Sequence, residues 1–153
     1  MDESISARLA DDLAALAGVK GYGLAITASP RTPSKTVDLI NQRLATELVS
    51  SKAVFWDGNG ANPYLGYLAH ADAILVTSDS VNMVSEAAAT GKPVHVIDLP
   101  GGSDKFRRFH TAMAKAEITR PFSGAIEHWS YTAPNDTDRV AAEIHRCMSQ
   151  RGA

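Results

Sequence analysis

Cysteine is nearly absent from this chain. A single residue, Cys147, among 153 excludes an internal disulfide and fits a reducing compartment, so a cytoplasmic setting is expected. An excess of one charge is missing too. Fifteen Lys and Arg against seventeen Asp and Glu leave a formal net charge of −2, too little field to attract nucleic acid or an anionic membrane. No apolar run approaches the ~18–20 residues of a spanning helix, and the acidic, polar start does not read as a signal peptide. Neither a transmembrane segment nor a nucleic-acid partner is expected. Enzyme fingerprints are missing as well. There is no Gly-x-x-x-x-Gly-Lys-Ser/Thr loop, no Gly-x-Gly-x-x-Gly after the first strand candidate and no Gly-x-Ser-x-Gly elbow. The five histidines, His70, His95, His110, His128 and His145, lack the spacing of a metal site. The reading is therefore no metal and no cofactor, with the histidines structural or exposed.

What is there suits one globular domain over residues 1–153. The apolar content of 44% and charged content of 21% are ordinary for such a domain, and the length suffices to bury roughly two-thirds of the unfolded surface. Short apolar runs at 22–28, 53–56, 73–77 and 94–97 lack polar alternation, as strands covered on both faces do. Between them lie helix candidates at 35–49, 63–71, 81–90 and 104–116. Val37, Ile40, Leu44 and Leu48 recur at helical spacing in the first, and Leu65 and Leu68 in the second. A helix at 5–16 precedes them. A last helix, capped by Asn135, Asp136 or Thr137 and running to about 149, places Val140, Ile144 and Cys147 on its inner face, with Cys147 as a small core residue. Asn62-Pro63 reads as a helix start, and Gly91 with Pro93 as a helix end. Residues 121–134 read as an ordered loop. This rhythm predicts an α/β domain: a Rossmann-like three-layer αβα arrangement around a mainly parallel sheet, with helices on both faces and the polar turns along one edge.

The stretch from Val76 to Val94 is the most informative. An apolar strand enters the turn Ser78-Asp79-Ser80, a small-residue helix carries Asn82 and Glu86 on one face, and Gly91-Lys92-Pro93 launches the next strand. A helix start beside a parallel strand's carboxyl end leaves backbone N–H groups free for a diphosphate, and Glu86 is spaced to accept from ribose hydroxyls. Met83, Val84 and Ala87 supply the buried side of that helix. The alternative is a plain cap at Asp79 or Ser80 with Glu86 solvated. Thr27, Ser29 and Arg31, with Pro30 between, form a second polar turn after the first strand. Hydroxyls and an arginine at that place suit an anion; otherwise the turn is a proline-stiffened connection with Ser34 capping the next helix. Gly101 and Gly102 permit close backbone approach, and Lys105 and Arg108 either reach a diphosphate or form a solvated basic face. The loop at 58–64 either lines a base or serves as a turn. These patterns name no catalytic residue.

Thr77 through Val94 resembles the C-terminal-domain motif of GT-B glycosyltransferases and of the non-hydrolysing UDP-N-acetylglucosamine 2-epimerases. Asp79-Ser80, Glu86 and Gly91-Lys92-Pro93 fall in register with the epimerase pattern, while Val81-Asn82 replaces its two glycines. By that register Ser80 meets phosphate and Glu86 the ribose. A longer resemblance, over about 22–148, is to the mitochondrial fission factor family of plants (the elongated-mitochondria proteins) and its bacterial relatives. Its hallmarks are Thr27-Ala-Ser-Pro-Arg-Thr-Pro33, Trp56-Asp-Gly, Asn62-Pro-Tyr-Leu-Gly66, Ala71-Asp72, Thr77 to Glu86, Thr90 to Pro93 and Lys105-Phe. The resemblance implies a domain equivalent to the C-terminal half of a GT-B protein, with a nucleotide sugar as ligand and the missing N-terminal half, or another chain, as partner. Activity belongs to that longer protein, and the isolated domain is not expected to turn over. The family also implies a second class of function, a non-enzymatic recruitment module like the plant protein that recruits a dynamin-related GTPase. An epimerase-related domain is the third.

Overall fold

A computed structural model describes residues 3–29 and 32–151. In chain order the elements are α1 (Glu3–Ala14), a π-helical turn (Ala15–Val19), β1 (Leu24–Thr27), α2 (Ser34–Arg43), α3 (Ala45–Val49), β2 (Ala53–Trp56), α4 (Tyr64–His70), β3 (Ile74–Thr77), α5 (Val81–Ala88), β4 (Val94–Ile97), α6 (Asp104–Lys115), β5 (Thr119–Pro121) and α7 (Asp136–Arg151). Strands and helices alternate and every strand pairing is parallel, as expected of an α/β chain.

The expected single sheet is instead divided. Among the described residues β1 pairs with β2, and β3, β4 and β5 form a separate sheet in that order. In the first sheet Leu24 registers with Ala53 and Thr27 with Trp56. In the second Ile74 registers with Val94, and Val94 with Thr119. The expectation of helices on both faces is also corrected for the first sheet. Ala25 and Val54 are register partners, both are exposed, and Val54 is 51% accessible.

Each sheet has its own core. Leu9, Ala10, Leu13, Leu16 and Ala17 of α1 and its π-helical extension meet Ile40 of α2 and Leu44, with Leu24, Ile26 and Phe55 packed against them. A buried Ser6–Thr36 hydroxyl pair, 2.9 Å apart, fixes α1 against α2, satisfying two polar groups that burial would otherwise penalise. The other core joins Ile74, Val76 and Val94 to Val84 and Ala87 of α5. Small residues let that helix sit close to its strands.

Several local expectations change. The helix over 35–49 is interrupted at Leu44, whose φ and ψ of −94° and 12° leave the helical region while its side chain is wholly buried. Leu65 is 75% exposed rather than packed. Val140, Ile144 and Cys147 of α7 face solvent, not a core, because no other element covers that helix among the described residues. Ser34 is the first residue of α2 rather than its cap. Gly91, at φ 72°, ends the α5 turn in the left-handed region that glycine adopts without strain. The segment 122–135 has no helix or strand, yet it is pinned. The Tyr131 hydroxyl lies 3.0 Å from the Ala88 carbonyl and 2.8 Å from that of Lys92. Glu127 N–H donates to His95 Nε2 at 3.2 Å, and Arg120 pairs with Glu127 while lying over the Trp129 ring.

Candidate functional site

A cleft of about 880 Å³ separates β1 from β3, a volume within the range of small-molecule sites. Its walls are apolar, with Leu9, Leu13, Leu24, Ile26 and Leu75 among them, and Ser29, Thr32, Asp79 and Ser80 add hydroxyls and a carboxylate. Thr27 lines it too. The two sequence motifs therefore meet on one feature, one from each sheet, through Thr27, Ser29 and Thr32 and through Asp79 and Ser80.

The start of α5 is open. Ser80, 8% exposed, occupies the N-cap position at φ −120° and ψ 84°, but its side chain makes no capping hydrogen bond. Its carbonyl accepts from Val84 N–H at 3.1 Å and begins the helix. Among the described residues no acceptor meets the amides of Val81, Asn82 or Met83. The plain-cap alternative therefore loses its hydrogen bond. Uncapped amides at a helix start carry the positive end of the backbone dipole and suit an anion.

Ser78 has a different place. Its hydroxyl accepts from Leu99 N–H at 2.9 Å and reaches Asp98 Oδ1 at 3.4 Å. Its N–H donates to the Ile97 carbonyl, and its own carbonyl lies 2.7 Å from His110 Nε2. Ser78 thus braces the ends of β3 and β4 and the flank of α6. Asp79 and Asn82 are exposed.

Glu86 is exposed but engaged. The Tyr64 hydroxyl donates to Glu86 Oε2 at 2.7 Å. Burial, then the hydrogen bond and charge of Glu86, push the Tyr64 phenol above its ordinary value. This keeps the tyrosine a donor and holds the carboxylate in place. Tyr64 also lines the cleft, whereas Glu86, Val81 and Asn82 do not. Sequence reading included Tyr64 as the end of the 58–64 loop, with no role of its own; there Asn62 Oδ1 accepts from Tyr64 N–H at 3.0 Å.

The other candidates separate from this group. At the first turn Ser29 N–H donates to Thr32 Oγ1 at 3.2 Å and Thr32 N–H to the Ser29 carbonyl at 2.9 Å, a compact turn. Arg31 lies outside the described residues. Gly101, Gly102 and Lys105 are exposed and do not line the cleft. Ser103 caps α6 by accepting from Phe106 N–H at 3.4 Å, and Asp104 pairs with Arg107. Lys92 has a structural post: its ammonium donates to the Leu68 carbonyl at 2.9 Å and to the Ala69 carbonyl at 2.5 Å, closing the end of α4 as a cation there favours. No cluster of metal-ligating side chains occurs among the described residues.

A cleft bordered by parallel strands, with an uncapped helix start on one wall, belongs to a protein of the α/β class. The comparisons narrow the class. A family model described as mitochondrial fission ELM1 matches residues 1–148. The chain is 38% identical over 130 residues to "Mitochondrial fission protein ELM1" of Arabidopsis thaliana, covering 83% of this chain and 30% of that protein. It is 35% identical over 124 residues to an uncharacterised protein of Rickettsia prowazekii, covering 78% of this chain and 34% of that one. This chain belongs to the mitochondrial fission ELM1 family. It spans about a third of the length of these curated relatives, less than the half that the resemblance implied. No solved structure matches it.

Proposed function

We propose that this chain binds the diphosphate of a nucleoside-diphosphate sugar at the start of α5, as the donor-binding part of a GT-B-like protein. The observation that carries the reading is the uncapped amide group of Val81 to Met83, behind a Ser80 hydroxyl that does not cap them. An anion there receives several backbone donors and the helix dipole together. Glu86, held by Tyr64, supplies an acceptor about one and a half turns into the same helix for the ribose. Thr27, Ser29 and Thr32 line the same cleft as Ser80 and add hydroxyls for the ligand. The acceptor and the groups that would carry transfer belong to the rest of a longer protein.

A thermal-shift panel of UDP, GDP, CDP and ADP sugars tests this. Ligand that binds the native state alone stabilises it by RT ln(1 + [L]/Kd), about 2.7 kcal/mol at a hundredfold excess over Kd. One selective hit, lost in Glu86→Ala, is the expected result; silence across the panel removes the reading.

A second reading, a protein-recruiting module acting in organelle fission, draws on the name of the Arabidopsis relative. It also draws on the stripe of Val140, Ile144 and Met148 along α7, 50%, 54% and 66% exposed. An uncovered apolar stripe on a helix suits a partner's groove.

A further inference from the structure

Two strand edges line the cleft, and neither is paired. Leu24 N–H donates to the Lys52 carbonyl at 2.8 Å on the β2 side. Backbone groups alternate sides along a strand, so those of Ala25 point away from β2. On β3, Ile74 N–H donates to the Pro93 carbonyl and Ser78 N–H to that of Ile97, both on the β4 side. The groups of Leu75 therefore point away from β4, as does the amide of Thr77, whose carbonyl accepts from Ser80 N–H at 3.3 Å. These residues line the cleft of about 880 Å³, and among the described residues no strand pairs with either edge.

The remaining walls are apolar. Ile74 and Val76 belong to the core that includes Leu68 and Met83, whereas Leu75, between them, packs on the core of Leu9 and Leu13. Alternate residues of a strand point to opposite faces, so the two cores lie on opposite sides of β3. Both line the cleft, one through Leu68 and Met83, the other through Leu9, Leu13 and Ile40. Its acidic and lysine residues, Lys52, Asp72 and Asp79, are all exposed, so no charge of theirs is held inside. A hydrocarbon would suit these walls but strip water from two backbone edges and leave their groups unpaired, at a heavy cost. A polar peptide would pair the edges and lose the hydration of its own side chains. An extended apolar peptide meets both demands, since its backbone bonds alternate between two neighbours and its side chains between two faces. β1 and β3 each have four residues, a span of roughly 13 Å at about 3.3 Å per residue, which sets a segment of about four or five residues.

We infer that the cleft is a docking slot for an extended apolar segment of a partner polypeptide, which enters between β1 and β3 and pairs with both. Strand addition of this kind takes affinity from main-chain hydrogen bonds and specificity from the pockets that receive alternate side chains. The matching segment is rich in valine and isoleucine, as strands covered on both faces are, and carries neither charge nor proline in the paired stretch. The inference is independent of the diphosphate reading, because Val81 and Asn82, which hold two of the amides assigned to that anion, do not line the cleft.

Residue-resolved amide hydrogen exchange on the full chain, with and without the peptide acetyl-Lys-Val-Ile-Val-Ile-Val-Lys-amide, tests the slot. Saturating peptide should slow exchange at Ala25, Leu75 and Thr77 on the order of tenfold or more, and leave Ile26 and Val76, on the paired sides, unchanged. Ala25→Pro deletes one edge donor without touching a bond to β2, and should weaken peptide binding about tenfold, as the loss of one hydrogen bond does. The same peptide N-methylated at both isoleucines keeps its side chains, loses its donors toward one edge and should not bind. Equal binding by the N-methylated peptide would overturn the inference, because the cleft would then be an apolar groove and nothing more. Failure of the parent peptide to bind at millimolar concentration would overturn it as well. So would protection of Ala25 and Leu75 in the peptide-free monomer equal to that of Ile26 and Val76, because the edges would then be paired already. Protection that grows with protein concentration alone would assign the slot to a second copy of this chain, and the partner segment would fall.

Discussion

The two sheets are built differently. In the β3–β5 half, Val84, Ala87, Ala88, Val94 and His95 are wholly buried, and the crossover helix α5 covers the strands it connects. In the β1–β2 half the strands remain half exposed, and Ile40 and Leu44 of the crossover are joined by α1 and its π-helical turn, which precede the sheet in the chain. One half packs on its crossover helix; the other adds to its crossover a helix from outside. The site lies between them, with its helix start on the self-covered side and its hydroxyl turn on the borrowed one.

Removing the borrowed cover should have the largest effect. Leu16 is wholly buried, and Leu16→Ala should cost about 2–5 kcal/mol in urea unfolding, the range for a truncated core leucine. If the halves cooperate, fluorescence of Trp56 and Trp129, one beside each sheet, should report a single transition. Two separated transitions would make the β3–β5 half an independent unit.

His95 sharpens the comparison through pH. Burial pushes its pKa below the ordinary histidine value; the Glu127 contact opposes that shift, and the charges of Arg120 and His128 add to it. The folded state therefore favours the neutral ring, which accepts from Glu127 N–H. Its contribution is fully present above the unfolded value of about 6.5 and is lost as pH falls toward the folded value, because the unfolded chain then binds the extra proton. Urea midpoints measured at several pH values should fall on acidification, and His95→Gln should flatten that dependence.

Smaller effects follow on the surface. Lys92→Met removes the cation closing α4 and should cost about 1 kcal/mol, typical of a lost hydrogen bond to a charged group that is partly exposed. Ile144→Ser on α7 should change stability by less than about 0.5 kcal/mol, since Ile144 is exposed. A larger loss at Ile144 would mean that α7 docks on the body in solution.

The segment from β3 through β4 was legible because its signals are local. A polar turn, a small-residue helix and a Gly-Lys-Pro stop each act within a few residues, and Val84 and Ala87 fell on the buried face as spaced. The division of the sheet was not legible, because apolar runs say which residues want cover but not which edges meet. β5 escaped notice because Thr119-Arg120-Pro121 has no apolar run to mark it. Helical spacing in α7 was read as a buried face, yet periodicity states only that one side is apolar, not that a neighbour exists. Glu86 was singled out by its helical spacing alone, whereas its donor Tyr64 and the α4 cap by Lys92 depend on contacts over twenty residues apart.

The measurement that bears most directly on the central claim is the set of amide chemical shifts on adding a UDP sugar, followed in the native chain and in Glu86→Ala. The largest changes should fall at Val81, Asn82 and Met83, and the substitution should weaken binding by about 1.5–3 kcal/mol, the range of charge-assisted hydrogen bonds, without altering the fold. Saturating ligand that leaves those three amides unmoved, or binds Glu86→Ala equally well, would contradict it.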